Sequence, residues 1–275
     1  MLNDFHGKSV LITGGTKGIG LATALAFGKQ GARCTLTHKW GSVDESEICR
    51  AFEAAGAPAP DIVCADVRED TDTAELMKRM RDRCDRIEVF VSGAAFAQIV
   101  HSVDEYSRRS LVQSLEYTTW PLVSYLQAIK KTFGRYPRYT LGMSSGGPDD
   151  FHAYYDVVAA CKAALEALSR YLAYRLSEED ARVNVVRARF ARTESLWATA
   201  GGEFGPFVDR YDPSLFIEVH EVANAVLALC SGLMDAVNGQ VIMVDRGTSF
   251  GDNLMSMFDQ RFERSIMKES DTNAR

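Results

Sequence analysis

The sequence predicts a doubly wound α/β fold of the Rossmann type, a seven-stranded parallel sheet with helices on both faces, in a single domain. Three observations carry that prediction. Seven short, β-rich apolar runs recur along the chain, each separated from the next by a longer helical pattern, the alternation that builds βαβ units. A glycine-rich turn, "TGGTKGIG" (13–20), follows the first run directly and opens the first helical stretch. The chain has 275 residues, 46% apolar and 25% charged, which suffices for one large core and demands no second one.

The first strand is "SVLIT" (9–13), and the helix after it spans about 20–30. Gly14, Gly18 and Gly20 stand between them, where a tight turn and close backbone approach let the helix N-terminus face a pyrophosphate. A tight turn alone does not need three glycines. The second strand, "CTLTH" (34–38), ends in "THKWGS" without the carboxylate that would hydrogen-bond an adenosine ribose. Lys39 and Ser42 are instead suited to a 2′-phosphate, with Lys17 in the glycine turn as a second cation. Each lysine alone reads as an ordinary surface charge. Both at the places a 2′-phosphate would occupy favour NADPH over NADH.

A helix over 43–55 leads to the third strand, "DIVCA" (61–65), and a helix over 70–84 to the fourth, "VFVSG" (89–93). One long helix is expected over 104–133, then the fifth strand, "YTLGM" (139–143), with Ser144 and Ser145 behind it. The next helix, over 153–178, carries Tyr154, Tyr155 and Lys162. After the sixth strand, "RVNVV" (182–186), come Arg187, Arg189 and Arg192, which either pair with the acidic surface or line the pocket mouth and attract an acidic carrier protein or a coenzyme A phosphate. Residues 193–217 interrupt the rhythm with Trp197, Phe204, Phe207, Tyr211 and Phe216 among glycines, either a lid over a pocket or an irregular packed loop. A helix over 219–230 and the seventh strand, "QVIMV" (240–244), complete the unit, and a polar tail runs from about 251 to 275.

Composition excludes several classes of function. A net charge of −6 and pI near 5.5 give no broad attraction to nucleic acid or an anionic membrane. The six cysteines lie far apart with no C-x-x-C pair and no zinc-like His spacing, so buried free thiols and no metal are expected. No signal sequence opens the chain and no apolar run reaches the roughly 18 residues of a membrane span, which points to the cytoplasm.

Taken together, "TGGTKGIG", Ala65 to Val67 ("ADV"), Ser144 and Ser145 ahead of the lysine helix, and "GQVIMVDRG" resemble the short-chain dehydrogenase/reductase superfamily over roughly residues 7–250. Within it, "YYDVVAACKAALEALSRYLAYRLSEEDARVNVV" is most similar to the enoyl-acyl-carrier-protein reductases, especially the NADPH-dependent type III branch with its Tyr-x6-Lys pattern. The resemblance implies that Thr16, Ile19, Asp66, Val67, Gly93, Ala94 and Thr193 join Gly14, Lys17, Gly18 and Gly20 around the cofactor. It further implies a catalytic set of Tyr155, Lys162 and Ser145, an acyl substrate on acyl carrier protein or coenzyme A, and a homodimer or homotetramer built on the long helices.

Helix geometry separates the two tyrosines independently. At about 100° per residue, position i+7 returns to within roughly 20° of position i, whereas i+8 lies about 80° away. Tyr155 therefore shares a face with Lys162 and Tyr154 does not. Relative to Tyr-x-x-x-Lys, the phenol sits about one turn, some 5 Å, further out. That suits an enoyl thioester, where hydride goes to the β-carbon, two atoms beyond the carbonyl, and the oxygen needing stabilisation is correspondingly remote.

The chain also departs from the family pattern. "SGAA" (Ser92 to Ala95) replaces an asparagine-containing run, Glu116 takes the place of an asparagine, Ala188-Arg189 that of Pro-Gly, and Phe151 that of an earlier aromatic or tyrosine, supplying shape without a proton. Two other functions therefore stay open: a carbonyl reductase using Tyr155 on a bulky ketone, and a family member that binds nucleotide without turnover.

Overall fold

A computed structural model of the chain describes residues 4–39, 43–96, 98–211, 215–252, 254–255 and 258. Seven strands form one parallel sheet: β1 (Ser9–Thr13), β2 (Arg33–His38), β3 (Asp61–Cys64), β4 (Ile87–Ser92), β5 (Tyr139–Ser145), β6 (Arg182–Ala188) and β7 (Val241–Val244). Their order is β3-β2-β1-β4-β5-β6-β7, and every pairing is parallel. The chain winds outward one way from β1 and the other way from β4, so those two strands flank the switch point. A crevice opens beyond their C-terminal ends, where open α/β sheets bind ligands.

The helices are α1 (Gly18–Gly28), α2 (Glu45–Ala54), α3 (Asp70–Arg81), α4 (Arg108–Thr118), α5 (Trp120–Phe133), α6 (Asp156–Arg175), α7 (Glu194–Ala200), α8 (Phe204–Tyr211) and α9 (Val219–Leu229). The period-2 alternation of the strands divides the core between the two faces. Val10 and Ile12 pack with Phe27 of α1, Phe52 of α2, and Val222 and Val226 of α9. Leu11, between them, packs the other way, with Phe90, Met77 of α3 and Tyr125 of α5. Val10, Leu11 and Ile12 are all fully buried, as a central parallel strand requires.

Three expectations need correction. The single helix over 104–133 is two, α4 and α5, joined at Thr119. Pro121 lacks the N–H that would continue the ladder and its ring opposes the preceding turn, while the Thr119 hydroxyl donates to the Cys161 carbonyl at 2.8 Å. The interruption at 193–217 is mostly helical, being α7 and α8 rather than an irregular loop. Burial of the thiols holds for Cys34, Cys161 and Cys230, whereas Cys49 and Cys64 are exposed and Cys84 is half-buried.

All six cysteines are reduced thiols rather than disulfides. Among the described residues no helix is long and apolar enough to cross a membrane, and no group of three or more His, Cys, Asp or Glu gathers as for a metal ion. Most of the tail, from 259 onward, lies outside the described residues.

Candidate active site

The crevice between β1 and β4 is lined at its base by glycine. Gly14 (φ 66°) and Gly18 (φ 50°) lie in the left-handed region, which costs L side chains energy and glycine nothing. A Cβ on Gly20 would stand 2.2 Å from the Gly14 carbonyl oxygen, and one on Gly14 would stand 3.0 Å from the Ala94 nitrogen. The Thr13 hydroxyl accepts from the N–H groups of Gly93 (3.2 Å) and Ala94 (3.4 Å). The ends of β1 and β4 are thus held together, bringing Gly14, Gly93 and Ala94 to one point. Thr16 is buried behind the turn and Ile19 packs on the core.

Among the described residues no side chain caps α1, so the positive end of its dipole faces the crevice. Thr193 joins from across the sheet: it caps α7, accepting from the Leu196 N–H at 3.1 Å, and its methyl lies 3.3 Å from where a Gly18 Cβ would be. A dinucleotide fits this cradle, since both the close approach and the free helix terminus are what a pyrophosphate uses.

At the far end of the crevice, Lys39 is ion-paired with Asp66. It also donates to the Tyr117 hydroxyl at 2.9 Å, which in turn donates to Asp66 at 3.2 Å. Burial pushes the Asp66 carboxyl up, but the bonds from Lys39 and from the Arg68 N–H prevail and hold it below the usual range. The hydrogen bond to Asp66 raises the Lys39 ammonium. Val67 is buried beside this group. Lys17 pairs with Glu194 at 3.0 Å on the surface. Both lysines assigned to a 2′-phosphate thus already hold a carboxylate, a contact that sequence spacing does not reveal; Ser42 lies outside the described residues.

At the opposite end, the Tyr155 hydroxyl donates to Ser145 Oγ at 3.0 Å. Burial raises the phenol above its ordinary value, and the bond to Ser145 opposes that only in part. Tyr154 adopts a left-handed backbone (φ 65°), is 44% exposed and sets its ring against His101 at 4.7 Å with the planes tilted by 49°. Lys162 is almost fully buried, donates to the Met143 carbonyl at 2.6 Å and is pushed down by burial to about 8. The structure therefore brings Ser145, Tyr155 and Lys162 to one strand end.

The helix does not begin at 153. Tyr155 is its N-cap and Asp156 its first residue, because the Tyr155 N–H closes a turn on the His152 carbonyl at 3.2 Å and the left-handed Tyr154 breaks any continuous helix through that turn.

Phe151 is 89% exposed and shapes nothing in the site. Its neighbour His152 takes that role, its ring 5.7 Å from Tyr155 and 5.4 Å from Phe190. Burial, helped by Arg189, lowers the His152 imidazole, which keeps it neutral near pH 7. Phe190 has a left-handed backbone (φ 48°) and continues the aromatic wall to Phe204 at 5.6 Å. Phe216, buried, closes it against Trp197 at 5.3 Å and Phe204 at 6.3 Å. Gly147 is also required: a Cβ there would meet the Tyr155 ring at 2.7 Å. His152 and Phe190 carry no motif, but the Gly146-Gly147 pair in front of two tyrosines was a visible signal of close packing.

Other candidates fall outside this cluster. Glu116 points to Arg68 at 3.7 Å, on the outer side of α4. Arg187 pairs with Glu166 and Asp149, Arg189 faces Asp150 at 3.7 Å, and Arg192 meets Asp209 at 2.8 Å and Glu218 at 3.4 Å. All three arginines thus meet acids of this chain.

Comparison with known proteins agrees with this geometry. A family model described as enoyl-(acyl carrier protein) reductase matches residues 14–249. The chain is 25% identical to the enoyl-[acyl-carrier-protein] reductase [NADH] FabI of Aquifex aeolicus, across 96% of this chain and 97% of that protein. It is 28% identical to the 1-cyclohexenylcarbonyl-CoA reductase of Streptomyces collinus, across 87% and 86%. The L-sorbose reductase of Gluconobacter frateurii, solved with NADPH and L-sorbose, superposes with a TM-score of 0.75 at 22% identity, across 88% and 97%, a likeness of fold. With a glycine cradle at the β1/β4 switch point and Ser145, Tyr155 and Lys162 gathered on the C-terminal part of β5, the chain belongs to the short-chain dehydrogenase/reductases, nicotinamide-dependent oxidoreductases, in the family described as enoyl-(acyl carrier protein) reductase.

Proposed function

We propose that this protein reduces the α,β double bond of an enoyl thioester with NADPH, in fatty-acid or specialised acyl or polyketide metabolism. The observation that carries the reading is the orientation of Tyr155, which meets Ser145 seven residues before Lys162 while Tyr154 turns away. The residues that would hold the cofactor are Gly14, Thr16, Lys17, Gly18, Ile19 and Gly20 at the pyrophosphate, Gly93, Ala94 and Thr193 beyond it, and Lys39, Asp66 and Val67 at the adenosine. When bound, the nicotinamide supplies a hydride.

Reduction at the β-carbon moves the π electrons onto the thioester oxygen, the Tyr155 hydroxyl is assigned to hydrogen-bond the enolate that develops there, and a proton from water at the α-carbon completes the saturated product. The phenol has one proton, so in this role it turns from Ser145 to the enolate, and the Ser145 hydroxyl, 3.0 Å away, donates to the phenol oxygen and fixes its direction. Lys162, as an ammonium, is assigned to the ribose hydroxyls and lowers the phenol. The thioester is carried on coenzyme A or acyl carrier protein, and the cytoplasm and a homodimer or homotetramer complete the reading. The same Ser145–Tyr155 bond serves a ketone equally well, which makes a carbonyl reductase the second reading.

Oxidation of NADPH across a panel of enoyl thioesters and ketones separates the two. With crotonyl thioester, Tyr155→Phe should lower kcat by about 10²-fold and leave NADPH affinity intact, since a lost oxyanion donor acts on the transition state. Tyr154→Phe should change little. Full activity in Tyr155→Phe, or turnover of ketones alone, sinks the enoyl reading.

For the cofactor, the ammonium of Lys39 is shared between Asp66 and the proposed 2′-phosphate. Titrations should show tighter binding of NADPH than NADH, and a narrower gap in Lys39→Ala. Equal affinities in the wild type would overturn the preference.

A further inference from the structure

Beneath the Ser145–Tyr155 pair lies a charged cluster that the proposed chemistry does not use. Ser144 and Arg187 stand opposite each other in the β5/β6 register. The Ser144 hydroxyl donates to Glu166 Oε1 at 2.5 Å. Arg187 grips the same carboxylate with two prongs, Nε to Oε1 at 2.9 Å and Nη2 to Oε2 at 2.5 Å. Its remaining nitrogen, Nη1, pairs with Asp149. Arg187 is 6% and Glu166 4% exposed.

A buried ion pair of this kind adds little net stability over apolar residues of the same volume, so what it contributes is geometry. The fork of an arginine fixes both partners at once. Glu166 lies one turn beyond Lys162 on α6. Asp149 lies in the segment between Ser145 and Tyr155, whose backbone closes on Gly146 through the N–H groups of Asp149 (3.1 Å) and Asp150 (3.0 Å). Arg187 therefore spans the two pieces of chain that carry the phenol and the ammonium. The neighbouring pair, Arg189 and Asp150 at 3.7 Å, is too long for a hydrogen bond and cannot hold the segment in the same way.

We propose that Arg187 is a positioning residue: through Glu166 and Asp149 it ties the segment carrying Tyr155 to the helix carrying Lys162, and so sets the separation of the two groups. The proposal rests on the assignment of Tyr155 as the reacting phenol. The variant to make is Asp149→Asn, because Asp149 faces solvent and its loss leaves the buried Arg187–Glu166 pair in place.

Hydrogen exchange of the whole protein should then be about 10-fold faster in 146–155 and unchanged in α6, with the thermal midpoint of the wild type. With NADPH and crotonyl thioester, kcat should fall about 10-fold at constant NADPH affinity. Asp149→Glu should restore most of it, and Asp149→Asn should cost nothing further in a Tyr155→Phe background. Unchanged exchange in 146–155 overturns the tie whether or not the protein turns this substrate over. Full activity in Tyr155→Phe removes the assignment of the phenol and leaves the exchange result standing. Faster exchange with unchanged kcat in Asp149→Asn, where Tyr155→Phe is impaired, overturns the positioning role, as does an equal loss in the Tyr155→Phe background or a lowered thermal midpoint.

Discussion

Two adjacent tyrosines end on opposite sides of the chain because one backbone dihedral changes sign between them. Tyr154 at φ 65° turns its ring out to His101, and Tyr155, as helix cap, turns its own in to Ser145. Lys162 is the titrating partner at this scale. Burial brings its ammonium down to about 8, so it is charged below that pH and neutral above. Ribose hydroxyls can accept from the ammonium, so NADPH affinity should decline as pH rises through about 8. Lys162→Arg, charged throughout, should bind with no such decline. Fluorescence titrations at a series of pH values check both.

At the scale of elements, the strands were legible to within two residues at either end, because a buried parallel strand writes itself as a short apolar run: "SVLIT" is β1 from end to end. Helix ends were less so. The apolar periodicity passes straight through Thr119 and Pro121, and only the proline's missing N–H divides α4 from α5. The cofactor turn was legible because glycine marks backbone conformation, which is local. The partners of Lys39 and Lys17 were not, since Asp66 and Glu194 approach through space from distant positions. His152 was hidden for the same reason, its place against Tyr155 depending on a turn that no periodicity announces. The turn at Gly14 supplies a prediction. Gly14→Ala would force a left-handed alanine at about 1–2 kcal/mol and press on Ala94. The thermal midpoint should fall by about 2–4 °C or more, with NADPH affinity weakened about 10-fold, as calorimetry of the apo and NADPH-bound protein would measure.

At the scale of the molecule, the helices on the face of α4 and α6 are incompletely covered. Leu111, Val112 and Trp120 are exposed on α4 and α5, and Leu168, Tyr171 and Tyr174 on α6. Large apolar side chains left in water in this number suit a second copy of the chain, in keeping with the homo-oligomer proposed above. Tyr171→Asp combined with Tyr174→Asp should shift the sedimenting species toward monomer, and an unchanged mass would place the interface elsewhere.

The distribution of thiols gives the molecule a built-in gauge of its own opening. Burial holds Cys34 up at about 12, Cys161 at about 11 and Cys230 higher than an ordinary thiol, while Cys49 and Cys64 stand in solvent. Alkylation requires thiolate and access together, so the folded protein presents two cysteines readily and conceals three. Those three are spread across the architecture: Cys34 in β2, Cys161 beside Lys162, and Cys230 at the end of α9. The order in which they become reactive would therefore record which half of the doubly wound sheet loosens first.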